Sequence, residues 1–152
     1  MNLSIREMEE EDIPVVCDLM FELTGHPIRE EDMKNRLELV KNSTIDELYV
    51  CEVRSIGACG KVAGVFGFRI RENLEEKSRF GEISVIVTGA ASRKLGIGKA
   101  MIEYAEKLAK EKECIGTWLV SGFGREEEAH QFYKNLGYQV NGYRFIKPFG
   151  EE

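Results

Sequence analysis

The chain has 152 residues, of which 43% are hydrophobic and 32% are charged, and its formal net charge is −6 with a pI near 5.2. This length fits a single domain, residues 1–152, that buries a core without a disulfide or metal staple, and the apolar fraction excludes a disordered chain. The excess of acid excludes a protein that binds nucleic acid through a broad basic face.

Cysteine usage and hydropathy indicate the compartment. The four cysteines are scattered without a C-x-x-C pair, and the chain has only two histidines, so we expect no metal site and free thiols in a reducing cytosol. The first residues, MNLSIREMEEED, are too acidic and polar for a signal peptide. No window approaches the roughly 18 apolar residues that a membrane span needs. These features predict a cytoplasmic protein with no membrane partner.

Hydrophobic periodicity predicts the elements in chain order. The first half is predicted to contain a strand at 3–8, a helix from 9 to Gly25, a helix at 30–41, and strands at 47–54 and 61–71 joined by a glycine-rich turn. The second half is predicted to contain a strand at 81–88, a helix at 97–112, a strand at 117–121, a helix at 126–136 stopped by Gly137, and strands at 138–140 and 143–146. This order predicts a mixed α/β fold.

The most informative stretch is the turn Arg93–Lys99 (RKLGIGK), which lies between a predicted strand and a predicted helix. It is not a Walker phosphate loop, because an arginine stands where the first glycine belongs and the final lysine is followed by Ala100. It is not the dinucleotide fingerprint either, because Met101 stands where the third glycine belongs.

The residues of this turn nevertheless favour an anionic ligand. Gly96 and Gly98 let the backbone approach a ligand closely, and the helix that begins there presents free N–H groups at the positive end of its dipole. Arg93, Lys94 and Lys99 add three cations with no acid among them. On the glycines alone, an ordinary strand-to-helix turn is an equally good interpretation.

Two motifs carry a family resemblance. Arg93-x-x-Gly96-x-Gly98 resembles the acetyl-CoA pyrophosphate loop of the GCN5-related N-acetyltransferases (GNAT family), and residues 129–138 (AHQFYKNLGY) are similar to that family's A-H-x-F-Y-x-x-x-G-Y/F pattern. The element order also matches, so the resemblance covers essentially the whole chain. The aminoalkylphosphonate N-acetyltransferase branch resembles the chain in Gly81-Glu82-Ile83 and in the ending Tyr143–Lys147 (YRFIK).

The resemblance implies a fold and an activity. The fold is a mostly antiparallel central sheet, splayed at the cofactor site and flanked by about four helices. The activity is direct transfer of an acetyl group from acetyl-CoA, without a metal, to the primary amine of a small molecule. A homodimer through the terminal strands is common in the family. A peptide or protein amine as acceptor, a non-catalytic acyl-CoA-binding or regulatory module, and an unrelated structural domain are the alternatives.

The resemblance also implies the residues that contact the cofactor. The pyrophosphate would lie on the amides of the turn, and the backbone of the preceding strand would pair with the pantetheine and polarise the thioester carbonyl. The implied residues are Ile86, Val87, Thr88, Arg93, Lys94, Leu95, Gly96, Ile97, Gly98 and Lys99.

Two residues are candidates for proton transfer. Tyr133 stands at the tyrosine of the second motif and would protonate the leaving thiolate, although it also fits an apolar packing face of its helix. Val85 occupies the position where many family members have a carboxylate. Glu82, which strand alternation places on the opposite face from Ile83 and Val85, could accept the amine proton directly or through water, or could be an exposed strand carboxylate.

The acceptor pocket of the family comes from the first two helices and the closing hairpin. Arg29 and Arg144 in these regions could bind a phosphonate or carboxylate on the acceptor. The acidic net charge equally favours a cationic amine. The sequence leaves this choice open.

Overall fold

The computed structural model describes residues 2–55, 60–75, 77–120 and 126–150, with the side chains of Glu126 and Glu127 excepted. The chain divides into two compact units, Met1–Thr117 and Trp118–Glu152. Most of the predicted turn between the first two hairpin strands lies outside the described residues. The organisation as one domain stays a prediction.

Five strands form one sheet in the order β1-β2-β3-β4-β5. β1 to β4 pair antiparallel, as predicted for most of the sheet. Just before β4 and β5 begin, the Ile115 N–H donates to the Arg79 carbonyl at 2.8 Å, so the two strands start side by side. The strands are β1 (Asn2–Glu7), β2 (Asp46–Arg54), β3 (Lys61–Arg71), β4 (Phe80–Thr88) and β5 (Gly116–Leu119).

The helices confirm the predicted periodic segments. In the described residues they are α1 (Ile13–Thr24), α2 (Glu30–Lys41), α3 (Ile97–Glu111) and the short α4 (Gln131–Asn135), which follows a π-helical turn at Glu126–His130. Gly25 ends α1 with a φ of +75°, the left-handed conformation that glycine adopts without a steric penalty. None of the described helices is long and apolar enough to span a membrane. The mixed α/β fold with four helices is therefore confirmed.

Helices cover both faces of the sheet. Because side chains alternate along a strand, Val65 of β3 faces the core cluster beneath α1 and α2, whereas Gly64 faces α3. A Cβ atom at Gly64 would lie 2.9 Å from the Met101 side chain, so α3 packs very close to β3. The ring of Phe66, on the same face as Gly64, stacks on Tyr49 with centroids 5.2 Å apart. α1 and α2 therefore lie on one face and α3 on the other.

A bulge in β4 corrects one prediction. Opposite β3, Gly67 pairs with Val85 and Phe68 pairs with Ile83, which leaves Ser84 as an extra residue. Arg69 pairs with Glu82, and because β3 is regular here, Glu82 and Val85 lie on the same face of the sheet. That face is the one beneath α1 and α2, where Val85 packs against the core. The expectation that Glu82 faces away from Val85 was wrong, because strict alternation fails across a bulge.

The end of the chain corrects a second prediction, that of two closing strands. Gly137, with a φ of +96°, stops α4, and the Tyr138 N–H bonds back to the Tyr133 carbonyl at 3.0 Å, as in a Schellman cap. The strands predicted at 138–140 and 143–146 are absent from the described residues, which have no regular structure over 138–149. A strand needs a neighbour for its backbone groups, and the alternating pattern alone does not supply one.

Candidate functional site

The turn after β4 is anchored at its start by two hydrogen bonds. The Gly89 N–H donates to the Ala63 carbonyl of β3 at 2.8 Å, and the Ala90 N–H donates to the Glu22 carboxylate of α1 at 2.8 Å. The chain then makes a 3₁₀ turn at Ala90–Ser92 before it reaches Arg93. The first contact fixes where the turn leaves the sheet, and the second ties it to the last turns of α1.

Two residues of the turn have the left-handed backbone conformation. Lys94 has a φ of +70° and Gly96, the N-cap of α3, has a φ of +82°. A Cβ atom at Gly96 would meet nothing within 4 Å, so the glycine is required by the backbone conformation and not by space. At Lys94 the same conformation costs a non-glycine residue roughly 1 kcal/mol. Leu95, between the two, is exposed.

The start of α3 is open to a ligand. Its first helical hydrogen bond runs from the Ala100 N–H to the Gly96 carbonyl at 3.0 Å, so the preceding three N–H groups have no partner within the helix. No side chain caps this end, whose first turn is Ile97, Gly98 and Lys99. The buried Ile97 side chain packs in the core and fixes the direction of the helix axis. The site is therefore a set of N–H donors at the positive end of a 15-residue helix.

Three cations lie at or just before this end of α3. Arg93, Lys94 and Lys99 are all exposed, and none has an acidic partner within 4 Å in the described ranges. Most other cations of the first unit form ion pairs, such as Lys41 with Glu9 at 2.9 Å. Unpaired cations beside free N–H groups fit a phosphate-bearing ligand, so the residues present fit the pyrophosphate of acetyl-CoA.

The strand before the turn, β4, directs alternate backbone groups away from β3. Because the Gly89 N–H points to β3, the alternation of an antiparallel ladder directs the backbone groups of Val87 to β3 and those of Ile86 and Thr88 away from it. The side chain of Val87 is buried in the core beneath α1 and α2. Of the three predicted pantetheine contacts, Ile86 and Thr88 therefore have the outward N–H and C=O groups.

Glu82 lies within a group of charged side chains. Its carboxylate oxygen Oε1 is 3.0 Å from Arg71 Nε and 3.7 Å from Arg69 Nη1, and Arg69 also hydrogen-bonds Asp46. The contact with Arg71 lacks hydrogen-bond geometry, so the buried Oε1 has no hydrogen-bond donor among the described residues. Asp46, Arg69 and Arg71 were not predicted from the sequence, although the two arginines alternate along β3.

Tyr133 belongs to the second unit and lies in α4. Its ring is half-buried between Phe132 and Tyr138, at centroid distances of 5.3 and 6.2 Å. This aromatic group accounts for the apolar helix face noted in the sequence. The role of Tyr133 as an acid stays a prediction.

The two candidate acceptor residues differ in their surroundings. Arg29 is the N-cap of α2 and pairs with Asp32 at 3.2 Å on the surface, and this hydrogen bond raises the pKa of Arg29. Arg144 is exposed in the irregular segment 138–149. Their binding of the acceptor also stays a prediction. No group of three His, Cys, Asp or Glu side chains suited to a metal ion occurs among the residues that the structure describes.

Solved structures share this fold. A transcriptional regulator from Bacillus halodurans superposes with a TM-score of 0.85, at 20% identity over 97% of this chain and 100% of that one. A GNAT family acetyltransferase from Staphylococcus aureus gives a TM-score of 0.78, at 25% identity over 98% of this chain and 100% of that one. The architecture is therefore that of the acetyltransferases.

The family follows from sequence comparison. The model of the acetyltransferase (GNAT) family matches residues 13–138, and the chain belongs to this family. The chain is similar to the aminoalkylphosphonate N-acetyltransferase of Salmonella typhimurium, with 30% identity over 88 residues. That match covers 58% of this chain and 56% of the relative, so it spans little more than half of the relative's length.

Proposed function

We propose that the chain is an acetyl-CoA-dependent N-acetyltransferase that acts on the primary amine of a small molecule. The observation that carries the proposal is the open N-terminus of α3, at or just before which lie three cations without an ion-pair partner in the described part of a chain whose net charge is −6. Membership of the acetyltransferase (GNAT) family supports the reaction class. Acetyl-CoA, when bound, supplies the acetyl thioester.

Each part of the site has one task. The N–H groups of Ile97, Gly98 and Lys99 and the side chains of Arg93, Lys94 and Lys99 bind the pyrophosphate. Leu95 and Gly96 supply the turn between them. The outward backbone groups of Ile86 and Thr88 pair with the pantetheine. The side chain of Val87, which lies between them in the strand, is buried in the core. The Ile86 N–H, which is the nearer to the bulge, donates to the thioester carbonyl oxygen.

Proton transfer is assigned to Glu82 and Tyr133. The Glu82 carboxylate accepts a proton from the acceptor ammonium, directly or through a water molecule, and so frees the nitrogen lone pair. The new C–N bond forms as the C–S bond breaks, and the Tyr133 hydroxyl gives its proton to the departing thiolate. The second proton of the acylated nitrogen restores the Tyr133 hydroxyl, directly or through solvent, and solvent removes the proton on Glu82. No other group of the protein changes charge.

The acceptor class is a small amine that also carries an acidic group. The similarity to an aminoalkylphosphonate N-acetyltransferase supports this class, and Arg29 and Arg144 are the candidate ligands of the acidic group. A screen that detects free CoA should include aminoalkylphosphonates, amino acids, polyamines and peptide N-termini. If only peptides are acetylated in this screen, the proposed small-molecule acceptor is wrong and the acceptor is a peptide or protein amine.

Calorimetry with acetyl-CoA tests the cofactor site. The substitutions Arg93→Gln and Lys99→Gln should each weaken binding about 5-fold, because each removes an exposed ion pair with a phosphate that is worth about 1 kcal/mol. Lys110→Gln, in the last turn of the same helix, is the matched control and should bind as the wild type does. Equal losses in all three variants would reject the turn as the pyrophosphate site.

A non-catalytic acyl-CoA-binding module is the second candidate function. The observation that favours it is Val85, which packs in the core at the position where many family members have a carboxylate. This candidate predicts acetyl-CoA binding by calorimetry with no release of CoA across the whole amine screen. Release of CoA with any one amine would exclude it.

A second copy of the chain is the partner that we propose. Segment 138–149 exposes five large apolar side chains, namely Val140, Tyr143, Phe145, Ile146 and Phe149, and Phe145 is 94% exposed. Pairing of this segment with a second copy would give its backbone the neighbour that a strand needs. Light scattering after size exclusion should give twice the 17.3 kDa of one chain, and a monomer at all concentrations would reject the dimer.

A further inference from the structure

The segment that joins β4 to α3, residues 89–96, begins in contact with the second half of α1. The Leu19 side chain of α1 is buried and packs over Gly89, where a Cβ atom would lie 3.2 Å from Leu19 Cδ2 and 3.4 Å from the Ala63 carbonyl oxygen. Gly89 has a φ of −59°, which any residue adopts, so the glycine is needed here for space. α1 therefore packs directly on the backbone at the start of this β4–α3 segment.

Glu22 adds a polar contact about one turn further along α1. Its carboxylate oxygen Oε1 accepts a hydrogen bond from the Ala90 N–H at 2.8 Å. Leu19 and Glu22 are three positions apart, so both side chains lie on the same side of the helix. A hydrogen bond from a backbone N–H to a carboxylate is stronger than one to a neutral acceptor. The chain is therefore bonded to β3 at Gly89 and to α1 at the very next residue.

The charge of Glu22 does not explain its place in the molecule. Glu22 is exposed, and no cationic side chain lies within 4 Å of its carboxylate among the residues that the structure describes. The segment that it contacts leads to Arg93, Lys94 and the open start of α3, to which the proposed function assigns an anionic cofactor. A carboxylate near such a ligand opposes binding by repulsion. The contribution that the structure supports is therefore the hydrogen bond to Ala90.

We propose that Glu22 is a positioning residue for the acetyl-CoA site, and that its hydrogen bond to Ala90 fixes the path by which the chain enters the turn before α3. This inference rests on the proposed function, in which that turn binds the pyrophosphate. The hydrogen bond and the charge of Glu22 then act on acetyl-CoA binding with opposite signs. Glu22→Gln keeps an acceptor oxygen and removes the charge, whereas Glu22→Ala removes both, so the two variants separate the effects.

Calorimetry with acetyl-CoA compares the two variants. Glu22→Ala should raise the Kd about 5-fold, the order expected for loss of one hydrogen bond that holds the binding conformation. Glu22→Gln should bind acetyl-CoA as tightly as the wild type or more tightly. Asp18→Ala is the matched control, because it removes an exposed acid one turn earlier on the same side of α1, and it should not raise the Kd. Tighter binding in both Glu22 variants, unchanged binding in both, or an equal loss in both would overturn the proposal, as would an equal loss in Asp18→Ala.

Amide hydrogen exchange, followed by NMR at one pH, tests the contact itself in the ligand-free protein. The Ala90 N–H should exchange about 5-fold faster in Glu22→Ala than in the wild type, and at close to the wild-type rate in Glu22→Gln. The Gly89 N–H, which donates to the Ala63 carbonyl of β3, is the internal reference and should keep its rate in both variants. An unchanged rate at Ala90, or equal acceleration at Gly89 and Ala90, would overturn the role of Glu22.

Kinetics and the wild-type protein distinguish this inference from the function on which it rests. Because Glu22 has no part in the proposed chemistry, Glu22→Ala should raise the KM for acetyl-CoA and leave kcat within about 2-fold of the wild type. A lower kcat with an unchanged KM would overturn the positioning of the cofactor by Glu22. If the wild type does not bind acetyl-CoA, the proposed function is wrong, and the exchange rate at Ala90 alone decides whether Glu22 holds the turn.

Discussion

Substitution of Gly96 by alanine tests whether the left-handed turn is built for the cofactor. Gly96 has a φ of +82°, and a Cβ atom there would meet nothing within 4 Å, so Gly96→Ala adds backbone strain without a clash. The left-handed conformation costs a non-glycine residue about 1–2 kcal/mol, which corresponds to a fall in Tm of about 2–8 °C for a protein of this size. If the turn relaxes to escape this strain, the conformation that binds becomes less populated, and the Kd for acetyl-CoA should rise about 5-fold or more.

Gly25→Ala is the matched control. Gly25 has a φ of +75° and equally open space, but it ends α1 and lies outside the proposed pyrophosphate site. Both variants should melt earlier by a similar amount in a thermal scan, and calorimetry should show weaker acetyl-CoA binding in Gly96→Ala alone. Unchanged affinity in Gly96→Ala would refute the argument that this backbone conformation serves the ligand, and an unchanged Tm would refute the strain.

Three further predictions concern other parts of the molecule. Tyr133→Phe should lower kcat by about 100-fold or more, measured as stopped-flow release of thiol, and should leave the Kd for acetyl-CoA unchanged in calorimetry. An unchanged kcat would remove Tyr133 from the mechanism. Gly67→Ala should destabilise the fold by about 1–3 kcal/mol in urea titration, because its Cβ atom would collide with the Ser84 hydroxyl, and Ser84→Ala should recover part of the loss. Burial of Asp12 is outweighed by hydrogen bonds from Arg6 and from the Glu9 N–H, so the pKa of Asp12 is lowered. Its contribution to stability should therefore be present above about pH 4 and be lost below it, and Asp12→Asn should abolish that pH dependence.

The sequence predicted the parts of the fold that local patterns encode. The amphipathic period of α3 and its start after Gly96 were readable because a buried helix face and an unstrained left-handed residue leave direct marks in the sequence. The same holds for the turn cations, which stand out against the acidic composition. The open and cationic N-terminus of α3, to which the proposed function assigns the cofactor, was therefore predictable.

The charge network around Glu82 was not predictable in the same way. Asp46 and Glu82 are 36 positions apart, and only the register of β2, β3 and β4 brings them to the two sides of Arg69. Register depends on pairing between distant segments, which periodicity within one strand does not specify. The strands expected after Gly137 failed for a related reason, since alternation of apolar residues predicts a strand only where a neighbouring edge is present.

The bulge at Ser84 explains how one strand serves both the core and the proposed chemistry. Val87 must face the core beneath α1 and α2, and in a regular strand the residues that share its face would be Val85 and Ile83. Glu82 would then point toward α3. The extra residue shifts the side-chain alternation, so that Glu82 shares a face with Val85, while the backbone groups of Ile86 and Thr88 still point away from β3. Gly67 leaves the space that the Ser84 side chain occupies, so the bulge is specified by a pair of residues on two strands.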